Sequence, residues 1–428
     1  MTKSTLRTNT STMLVALILV AALIRIVALA ALRNPHQFHG RQAGADAIEF
    51  NAIALNLVQG EGYSIEPGHP TAFRAPGFPL LLAGLYRISY ENYFLVYVVQ
   101  CLLGGITCGL IYLLAKELVD VRTAWVSAAL SVFYFPSIYF STLFISETLF
   151  GLCLALGIFA FLRYLRTGSM LILIGSGVAL GWATLTRPFA ILLLPMLAWI
   201  VIVRGKVSHR RPMLASAAFV VAFVCVLVPW AARNYSVYGK LVLLTTNGGS
   251  TFYGGNNDQV LHHPRYWGGW LSTTYLPGRA SIDAAPDEVS HDKREWQLGF
   301  EWLSSHLWAT PALVLFKLVR FWLPEFTSGN KKFVALSVFS CIPFLVLFLQ
   351  GIRRCVADRS YWTLPWAAVH SVLAAALITA VVFWGSPRFR DGNFPILMLY
   401  AGVALRQSVL SKKFCSGALL ARALGREV

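Results

Sequence analysis

The chain is dominated by long apolar runs, most of them close to twenty residues, separated by shorter polar segments. A helix of about 20 residues covers the roughly 30 Å hydrocarbon core of a bilayer. Hydrophobic residues make up 57% of the sequence and charged residues only 13%, which is more apolar surface than a water-soluble fold can bury. The pattern predicts an all-α, polytopic membrane protein, because only helices satisfy their own backbone polar groups in lipid in this way.

About ten transmembrane helices are predicted, within a range of ten to twelve, and they form one domain over residues 1–428. The predicted spans are 12–33, 92–115, 123–141, 143–162, 170–186, 188–204, 212–230, 333–352, 361–384 and 393–410. The first run is longer than the apolar core of a cleavable signal, roughly 7–15 residues, so we interpret it as a retained helix. Arg25 lies inside it, and snorkelling to the interface is the simpler interpretation of that charge.

The net charge of +17 comes from basic residues that lie between the apolar runs rather than on one soluble face. This distribution argues against nucleic acid as a partner and favours basic loops on the cytoplasmic side of the inner membrane. If the N-terminus is cytoplasmic, the segments around Arg163, Arg204 and Arg353 and the C-terminus share that side. The two long polar loops, 34–91 and 231–332, then face outward.

The second long loop is expected to fold into a small cap with one helix near 288–304. An apolar run at 307–323 could be a further span. Counting it as a span would place Arg353 on the outer side of the membrane, so we interpret it as a helix lying at the membrane interface. A full span there stays open as the alternative.

The first outer loop carries the clearest candidates for chemistry. Asp46 and Glu49 are three residues apart, so a helix over 45–58 would place both carboxylates on one face. The alternative is a solvated loop in which the two acids are incidental. Arg74 follows in a segment stiffened by Pro76 and Pro79, and its planar guanidinium suits phosphate oxygens. Binding of ordinary lipid headgroups is the alternative there.

Other charged residues recur at the outer ends of spans, where the positive-inside tendency disfavours arginine. They are Arg187, Arg233, Arg320, Arg388, Arg390 and the carboxylate Glu147. Snorkelling explains any one of these arginines, but together they indicate an anionic ligand at the outer face. Glu147 could pair with one of them.

A run of glycine and asparagine over 247–257 is predicted to be a loop whose backbone amides could meet a ligand. Its spacing is neither a Walker loop nor a dinucleotide fingerprint, and a plain cluster of turns is the alternative. His262, His263 and His291 show no spacing typical of a metal site, so no metal ligand is assigned. A divalent cation is left open as a cofactor.

The order of these motifs resembles the GT-C-fold membrane glycosyltransferases that use polyprenyl-phosphate sugars. The similarity is to the branch that contains the protein O-mannosyltransferases and the aminoarabinose transferase. The segments that carry the resemblance are 46–63, 74–82, 146–150, 185–188, 229–235, 247–257 and 388–395.

The resemblance implies a GT-C-like fold and a glycosyltransferase that moves a hexosyl or pentosyl group from a polyprenyl-phosphate donor to an acceptor hydroxyl. The acceptor would be a glycan, a lipid or a protein of the cell envelope. The essential acid of the family maps to Asp46, as general base. Many members have a second acid directly after it, whereas Ala47 follows here and Glu49 is the next carboxylate. The resemblance assigns the donor phosphate to Arg74, Arg187, Arg320, Arg388 and Arg390. It assigns substrate contacts to Asn247, Gly248, Asn256, Asn257 and Glu147.

Three other functions are weighed against transfer. A polysaccharide polymerase or ligase would depend on arginines and a histidine of the late loop, such as Arg279 and His291. A lipid or solute transporter would carry charges and broken helices near the bilayer midplane. A non-catalytic assembly protein would keep its function without Asp46.

Overall fold

The computed structural model describes residues 3–40, 44–207, 211–324 and 331–406. Helices account for most of these residues. One two-stranded hairpin, β1 (Ser64–Glu66) with β2 (His69–Pro70), lies in the polar segment 34–91. From their predicted side we call the segments 34–91 and 231–332 the first and second outer segments. The helices are α1 (Lys3–Leu32), α2 (Ala45–Gln59), α3 (Gly77–Ser89), α4 (Tyr93–Leu118), α5 (Val121–Val132), α6 (Phe135–Phe140), α7 (Glu147–Thr167), α8 (Met170–Thr186), α9 (Leu193–Val207), α10 (Pro212–Tyr238), α11 (Gly248–Gly255), α12 (Asp258–His262), α13 (Arg279–Asp283), α14 (Glu288–Ser305), α15 (Thr310–Trp322), α16 (Lys331–Ala357), α17 (Leu364–Val382), α18 (Pro387–Gly392) and α19 (Phe394–Arg406). Short 3-10 turns occur at Pro188–Leu192, Thr273–Tyr275 and Arg359–Tyr361.

The prediction of an all-helical, multi-span membrane protein is confirmed. Among the described residues, seven helices are long and apolar enough to cross a bilayer. They are Thr10–Leu32, Tyr93–Leu118, Glu147–Thr167, Pro188–Gly205, Pro212–Tyr238, Val334–Ala357 and Leu364–Val382. Two shorter apolar helices, Met170–Thr186 and Phe394–Arg406, correspond to two further predicted spans.

The predicted span 123–141 is not continuous, and that prediction is corrected. The chain forms α5, breaks at Phe133 and Tyr134, and resumes as the short helix α6. Pro136 explains the break, because its ring removes a donor and collides with the carbonyl four residues earlier, that of Val132. Turns over 141–146 follow, so the next membrane helix begins at Glu147 rather than at 143.

The expectation that Arg25 snorkels to the interface is also wrong. Arg25 is completely buried; its guanidinium donates to the Ala21 carbonyl at 3.0 Å and to Ser137 Oγ at 2.9 Å. Gly104 of α4 makes room for it, since a Cβ at that position would collide with the Arg25 side chain. The arginine therefore joins α1 and α4 to the broken helix α6 inside the bundle.

Close helix contacts in the bundle depend on glycine. Gly177 and Gly181 lie on one face of α8, where α10 crosses it, and a Cβ at either glycine would press on the backbone of α10 near Phe219 or Phe223. Small residues let helices approach closely in a membrane, where packing rather than the hydrophobic effect drives association. This packing orders α7, α8 and α10 side by side, with the ends of α7 and α8 that carry Glu147 and Arg187 together at one face of the bundle.

The glycine–asparagine run of the second outer segment is a helix, not the predicted loop. Gly248–Gly255 forms α11 and packs against α14. A Cβ at Gly249 would collide with the Asp292 carbonyl, and one at Gly255 with the Phe383 carbonyl. Glycine is therefore needed here for close approach between backbones, and tertiary packing outweighs its poor helix propensity.

Two helices of this outer segment occur where the sequence predicts them. The helix expected near 288–304 is α14, whose N-cap Asp287 accepts a hydrogen bond from the Ser290 amide at 2.9 Å. The apolar run 307–323 forms α15, which has 13 residues and is thus about 20 Å long. That length is short of the roughly 30 Å hydrocarbon core, and Trp308, just before the helix, is 75% exposed, as suits an interfacial anchor.

Candidate active site

The first part of the site is built by α2 and the segment before α3. Asp46 and Glu49 lie on one face of α2, one turn apart, as predicted from their spacing. Between them lies Arg74, whose Nη2 is 2.8 Å from Asp46 Oδ1 and whose Nε donates to Glu49 Oε2. One guanidinium thus binds both carboxylates, and the two acids are not incidental residues of a solvated loop.

The second part comes from membrane helices distant in sequence. Glu147 is the first residue of α7, Arg187 ends α8, and Arg388 belongs to α18. Glu147 Oε1 lies 2.5 Å from Arg187 Nη2 and accepts a hydrogen bond from Arg388 Nε at 2.7 Å. The sequence-based idea that Glu147 pairs with an arginine is therefore realised twice.

Arg388 joins the two parts, because its Nη1 lies 3.0 Å from the second oxygen of Asp46. The result is an unbroken series of alternating charges that we call the ion-pair chain: Glu49, Arg74, Asp46, Arg388, Glu147 and Arg187. Three arginines and three carboxylates give it a formal net charge of zero.

The pair at one end of the ion-pair chain, Glu147 with Arg187, is more buried than Asp46 and Arg388 at its centre. The side chain of Glu147 is 0% exposed and that of Arg187 is 12% exposed, whereas Asp46 is 26% and Arg388 34% exposed. The buried atoms Glu147 Oε2 and Arg187 Nε have no hydrogen-bond partner among the described residues. A ligand from outside would therefore meet Asp46 and Arg388 first.

The charge state of Asp46 follows from its neighbours. Burial raises the pKa of this carboxyl. The attraction of Arg74, and then of Arg388 and Arg187, lowers it by more than burial raises it, so that the pKa lies well below its usual range. The pKa of an aspartate in the unfolded chain is near 4, so the lower pKa in the folded protein stabilises the fold at any pH above about 4. This contribution is lost only as the pH falls through the pKa of the folded state. Asp46 is thus an anion throughout the physiological pH range.

Aromatic rings flank the two central arginines. The guanidinium of Arg74 lies 5.1 Å from the ring centre of Phe73 and 5.8 Å from that of Phe50. Phe389, next to Arg388, packs against Trp384 with ring centres 5.2 Å apart. Apolar aromatic faces therefore lie beside the charged groups of the site, with those of Phe73 and Phe50 next to Arg74.

Two of the predicted phosphate-binding arginines lie outside the ion-pair chain. Arg320 donates to the Trp267 carbonyl at 3.0 Å. Arg390 is almost completely buried, pairs with Asp391 at 2.7 Å and donates to the Trp322 carbonyl at 2.7 Å. Both arginines connect α15 to its surroundings in this arrangement.

The predicted substrate-contacting asparagines make contacts within the protein. Asn257 caps α12 by accepting from the Val260 amide at 3.1 Å. Asn256 accepts from the buried Lys317 ammonium at 2.8 Å and donates to the Val382 carbonyl at 3.1 Å. Asn247 and Gly248 begin α11, where Asn247 accepts from Thr245 and Gly248 lies against Trp296. Their assignment to substrate stays a prediction.

The candidate residues of the polymerase alternative make local contacts. Arg279 pairs with Asp283 one turn further along α13, at 2.6 Å. The ring of His291 lies 3.0 Å from the Ala285 carbonyl. Neither side chain contacts the ion-pair chain. Within the described ranges there is also no group of three or more His, Cys, Asp or Glu side chains placed to hold a metal ion.

Glu288 is a functional candidate that sequence reasoning missed. Its carboxylate accepts hydrogen bonds from Thr71 Oγ1 at 2.8 Å, from the Ala72 amide at 2.9 Å and from Thr246 Oγ1. These contacts join α14 to the segment that carries Arg74, across 216 residues of sequence. No local pattern distinguishes Glu288 from the other acids of α14, so only the fold identifies it.

A second set of hydrogen bonds fixes the segment that carries Arg74. Arg233, noted in the sequence as an arginine at an outer helix end, donates to the Thr71 carbonyl at 2.7 Å and to the Tyr63 carbonyl at 2.9 Å. The Tyr63 hydroxyl donates in turn to the Arg74 carbonyl at 2.9 Å. The backbone that presents Arg74 is therefore fixed from both sides before any ligand binds.

Replacing Glu288 by Ala should destabilise the protein by about 2 kcal/mol, because buried donors lose a charged acceptor. Thermal unfolding of the purified chain in detergent measures this. The matched control is Glu301→Ala on the same helix, where the carboxylate is 60% exposed and pairs only with Arg294; its loss should be much smaller. Equal losses of stability in the two variants would contradict the stabilising role of Glu288.

The bundle of membrane helices, with carboxylates and arginines from distant segments meeting at one face, has a GT-C-like fold. The solved structures support this directly. The archaeal oligosaccharyltransferase AglB from Archaeoglobus fulgidus, in complex with an inhibitory peptide and a dolichol-phosphate, matches with a TM-score of 0.55 and 14% identity, over 98% of this chain and 53% of that one. ArnT from Cupriavidus metallidurans in the apo state matches with a TM-score of 0.56 and 14% identity, over 97% of this chain and 64% of that one.

At the level of sequence, residues 69–230 match the family model described as dolichyl-phosphate-mannose-protein mannosyltransferase. The chain therefore has the GT-C fold, and the resemblance inferred from its motifs is confirmed. The family match includes Arg74, Glu147 and Arg187, whereas Asp46 and Arg388 lie outside it. The chain spans about half the length of the matched AglB structure. No curated protein sequence matches it.

Proposed function

We propose that this chain is an inverting glycosyltransferase that moves a sugar from a polyprenyl-phosphate donor to an acceptor hydroxyl. The observation that carries the proposal is the ion-pair chain, in which two arginines converge on one accessible carboxylate, Asp46, within a GT-C fold. Arginine binds phosphate oxygens through paired N–H donors, and a carboxylate can take a proton from a hydroxyl. The matched AglB structure is a complex with a dolichol-phosphate, which is consistent with a lipid-linked donor.

In the proposed reaction the acceptor oxygen attacks the anomeric carbon of the sugar as the bond from that carbon to the phosphate oxygen breaks. The electron pair of that bond leaves with the polyprenyl phosphate, and the hydroxyl proton passes to Asp46. The phosphate needs no general acid, unlike the leaving group of a two-carboxylate glycosidase. A single displacement inverts the configuration at the anomeric carbon.

Charge is balanced at each stage of this reaction. The donor phosphodiester carries one negative charge, and the leaving phosphate gains a second one as Asp46 is neutralised by the proton. Arg74 and Arg388 are then no longer opposed by Asp46, and their positive charge meets the charge that develops on phosphate. Arg187 pairs with Glu147, as Arg388 does, so it offsets part of the negative charge that faces Arg388. Roles of Arg320 and Arg390 at the phosphate remain predictions.

We further propose that the reaction takes place at the outer face of the inner membrane, with both termini in the cytoplasm. Arg163 and Arg166 lie at the end of α7 opposite to Glu147; Arg163 is 16 residues from it, about 24 Å at 1.5 Å each, and Arg166 is farther still. Basic residues are enriched on the cytoplasmic side of membrane proteins, which supports an outward position for the ion-pair chain. The first outer segment, 34–91, would then supply the base and the second, 231–332, the cap.

The test is transfer from a panel of radiolabelled polyprenyl-phosphate sugars in membranes with and without the protein. A labelled product that requires the protein, with inverted anomeric configuration by NMR, is the expected result. Nucleotide sugars carrying the same label are the control donors and should give no direct transfer. If no lipid-phosphate sugar of the panel is used by well-inserted protein, the proposed function is wrong.

A further inference from the structure

Asp46 is held by the same two arginines that are proposed to bind the donor. Its Oδ1 lies 2.8 Å from Arg74 Nη2 and its Oδ2 lies 3.0 Å from Arg388 Nη1. Both carboxylate oxygens therefore already accept from a guanidinium, which weakens Asp46 as a base toward an acceptor hydroxyl. The structure thus shows the proposed base and the proposed phosphate ligands bound to each other.

We propose that Asp46 and the donor phosphate compete for Arg74 and Arg388, so that the site rests in a self-inhibited state that donor binding opens. This inference rests on the proposed function and adds a regulatory step to it. The incoming group is a phosphate ester on an apolar chain, which presents oxygens to the two guanidinium groups in place of the carboxylate.

The exchange is feasible because each arginine has a second carboxylate partner. Arg74 also binds Glu49, and Arg388 also binds Glu147. Neither arginine depends on Asp46 alone for its position, so the pair stays in place when Asp46 is displaced. Asp46 is also among the more exposed members of the ion-pair chain, whereas Glu147 is fully buried. Exchange therefore occurs at Asp46 and not at Glu147.

Displacement changes the chemistry of Asp46 in the direction that catalysis requires. In the resting state the arginines keep the pKa of Asp46 well below its usual range although burial raises it. Once they bind phosphate instead, burial acts with less opposition and the pKa rises, which makes the carboxylate a better base. The acceptor would then be activated only in sites that already hold a donor.

The competition is tested by binding of farnesyl phosphate to the purified full chain in detergent, with inorganic phosphate as a second probe. Asp46→Asn removes the competing charge and keeps the size of the side chain. We expect the dissociation constant for a phosphate probe to fall at least about tenfold, which corresponds to about 1.4 kcal/mol. Tightening with both probes identifies the phosphate group as sufficient, and tightening with farnesyl phosphate alone adds a need for the apolar chain.

Glu117→Gln is the matched control. Glu117, on α4, also lies between two arginines, Arg163 at 2.8 Å and Arg166 at 3.2 Å, which belong to the end of α7 opposite to Glu147. Its replacement should leave phosphate binding unchanged. Farnesol, which lacks the phosphate, should bind wild type and Asp46→Asn equally, since only the charged group competes.

A dissociation constant that is unchanged or higher in Asp46→Asn overturns the competition, provided that the variant melts cooperatively. Asp46→Ser is measured in parallel, so that a folding defect of one variant leaves the other to decide. The outcome is separable from that of the transfer assay. Tighter phosphate binding without any transfer would reject the glycosyltransferase alone, and transfer by wild type without tightening in either variant would reject the competition alone.

Discussion

Replacing Asp46 by Asn is expected to lower the rate of sugar transfer by at least about a hundredfold while the protein still inserts and folds. General base catalysis contributes typically about 10²–10⁴ in rate, and the amide cannot take the proton of the acceptor hydroxyl. Folding is retained because Arg74 keeps Glu49 and Arg388 keeps Glu147. Initial rates with a polyprenyl-phosphate sugar, at saturating donor, measure the effect on the chemical step.

Two further variants make this result specific. Glu117→Gln, on α4 beside the far end of α7, should retain the wild-type rate. Glu49→Gln should lower it less than Asp46→Asn, because Glu49 contacts only Arg74 in the ion-pair chain. If Asp46→Asn retained transfer and Glu49→Gln abolished it, the base would be Glu49 and the assignment of Asp46 would be wrong.

Replacing Glu147 by Gln should cost about 3 kcal/mol of stability, the largest loss expected for a single change in this site. Glu147 is fully buried, and Arg187 beside it is only 12% exposed, so the change leaves a buried guanidinium without its counter-charge. Arg388 is less affected because Asp46 remains at 3.0 Å. Unfolding by a denaturant in mixed micelles, followed by tryptophan fluorescence, measures the loss.

Glu117→Gln is again the comparison, now for stability. The side chains of its partners Arg163 and Arg166 are 38% and 71% exposed, so water solvates them when the carboxylate is removed. The expected cost is at most about 1 kcal/mol. A cost for Glu147→Gln as small as that of Glu117→Gln would mean that water reaches Arg187, contrary to its burial in the structure.

Local patterns explain which parts of the fold could be predicted from sequence. The membrane helices follow from apolar runs of the right length, and α2 and α14 follow from amphipathic spacing and an acidic cap. Arg74 is a candidate because Pro76 and Pro79 stiffen the segment that carries it and its guanidinium suits phosphate oxygens. These signals extend over a few residues, which is the range that periodicity and capping describe.

Contacts between distant segments explain what could not be predicted. Arg388 and Glu147 are 241 residues apart, and no pattern in one sequence indicates that they meet. The glycine-rich run at 248–255 looks like a loop by propensity, but it is a helix because α14 and Phe383 approach its backbone closely. Pro136 lies within an apolar run, so hydropathy concealed the break before α6.

The ion-pair chain carries no formal net charge, and this affects how a donor reaches the site. Opposite charges in alternation cancel one another's field at distances larger than their spacing, and salt screens the remainder over a Debye length of roughly 8–10 Å. The site therefore exerts little long-range pull, and a dissolved sugar phosphate gains no steering toward it. The donor proposed here needs none, since it is anchored in the bilayer and reaches the protein by lateral diffusion. Confinement to the membrane plane, rather than attraction from solution, would then favour lipid-linked substrates.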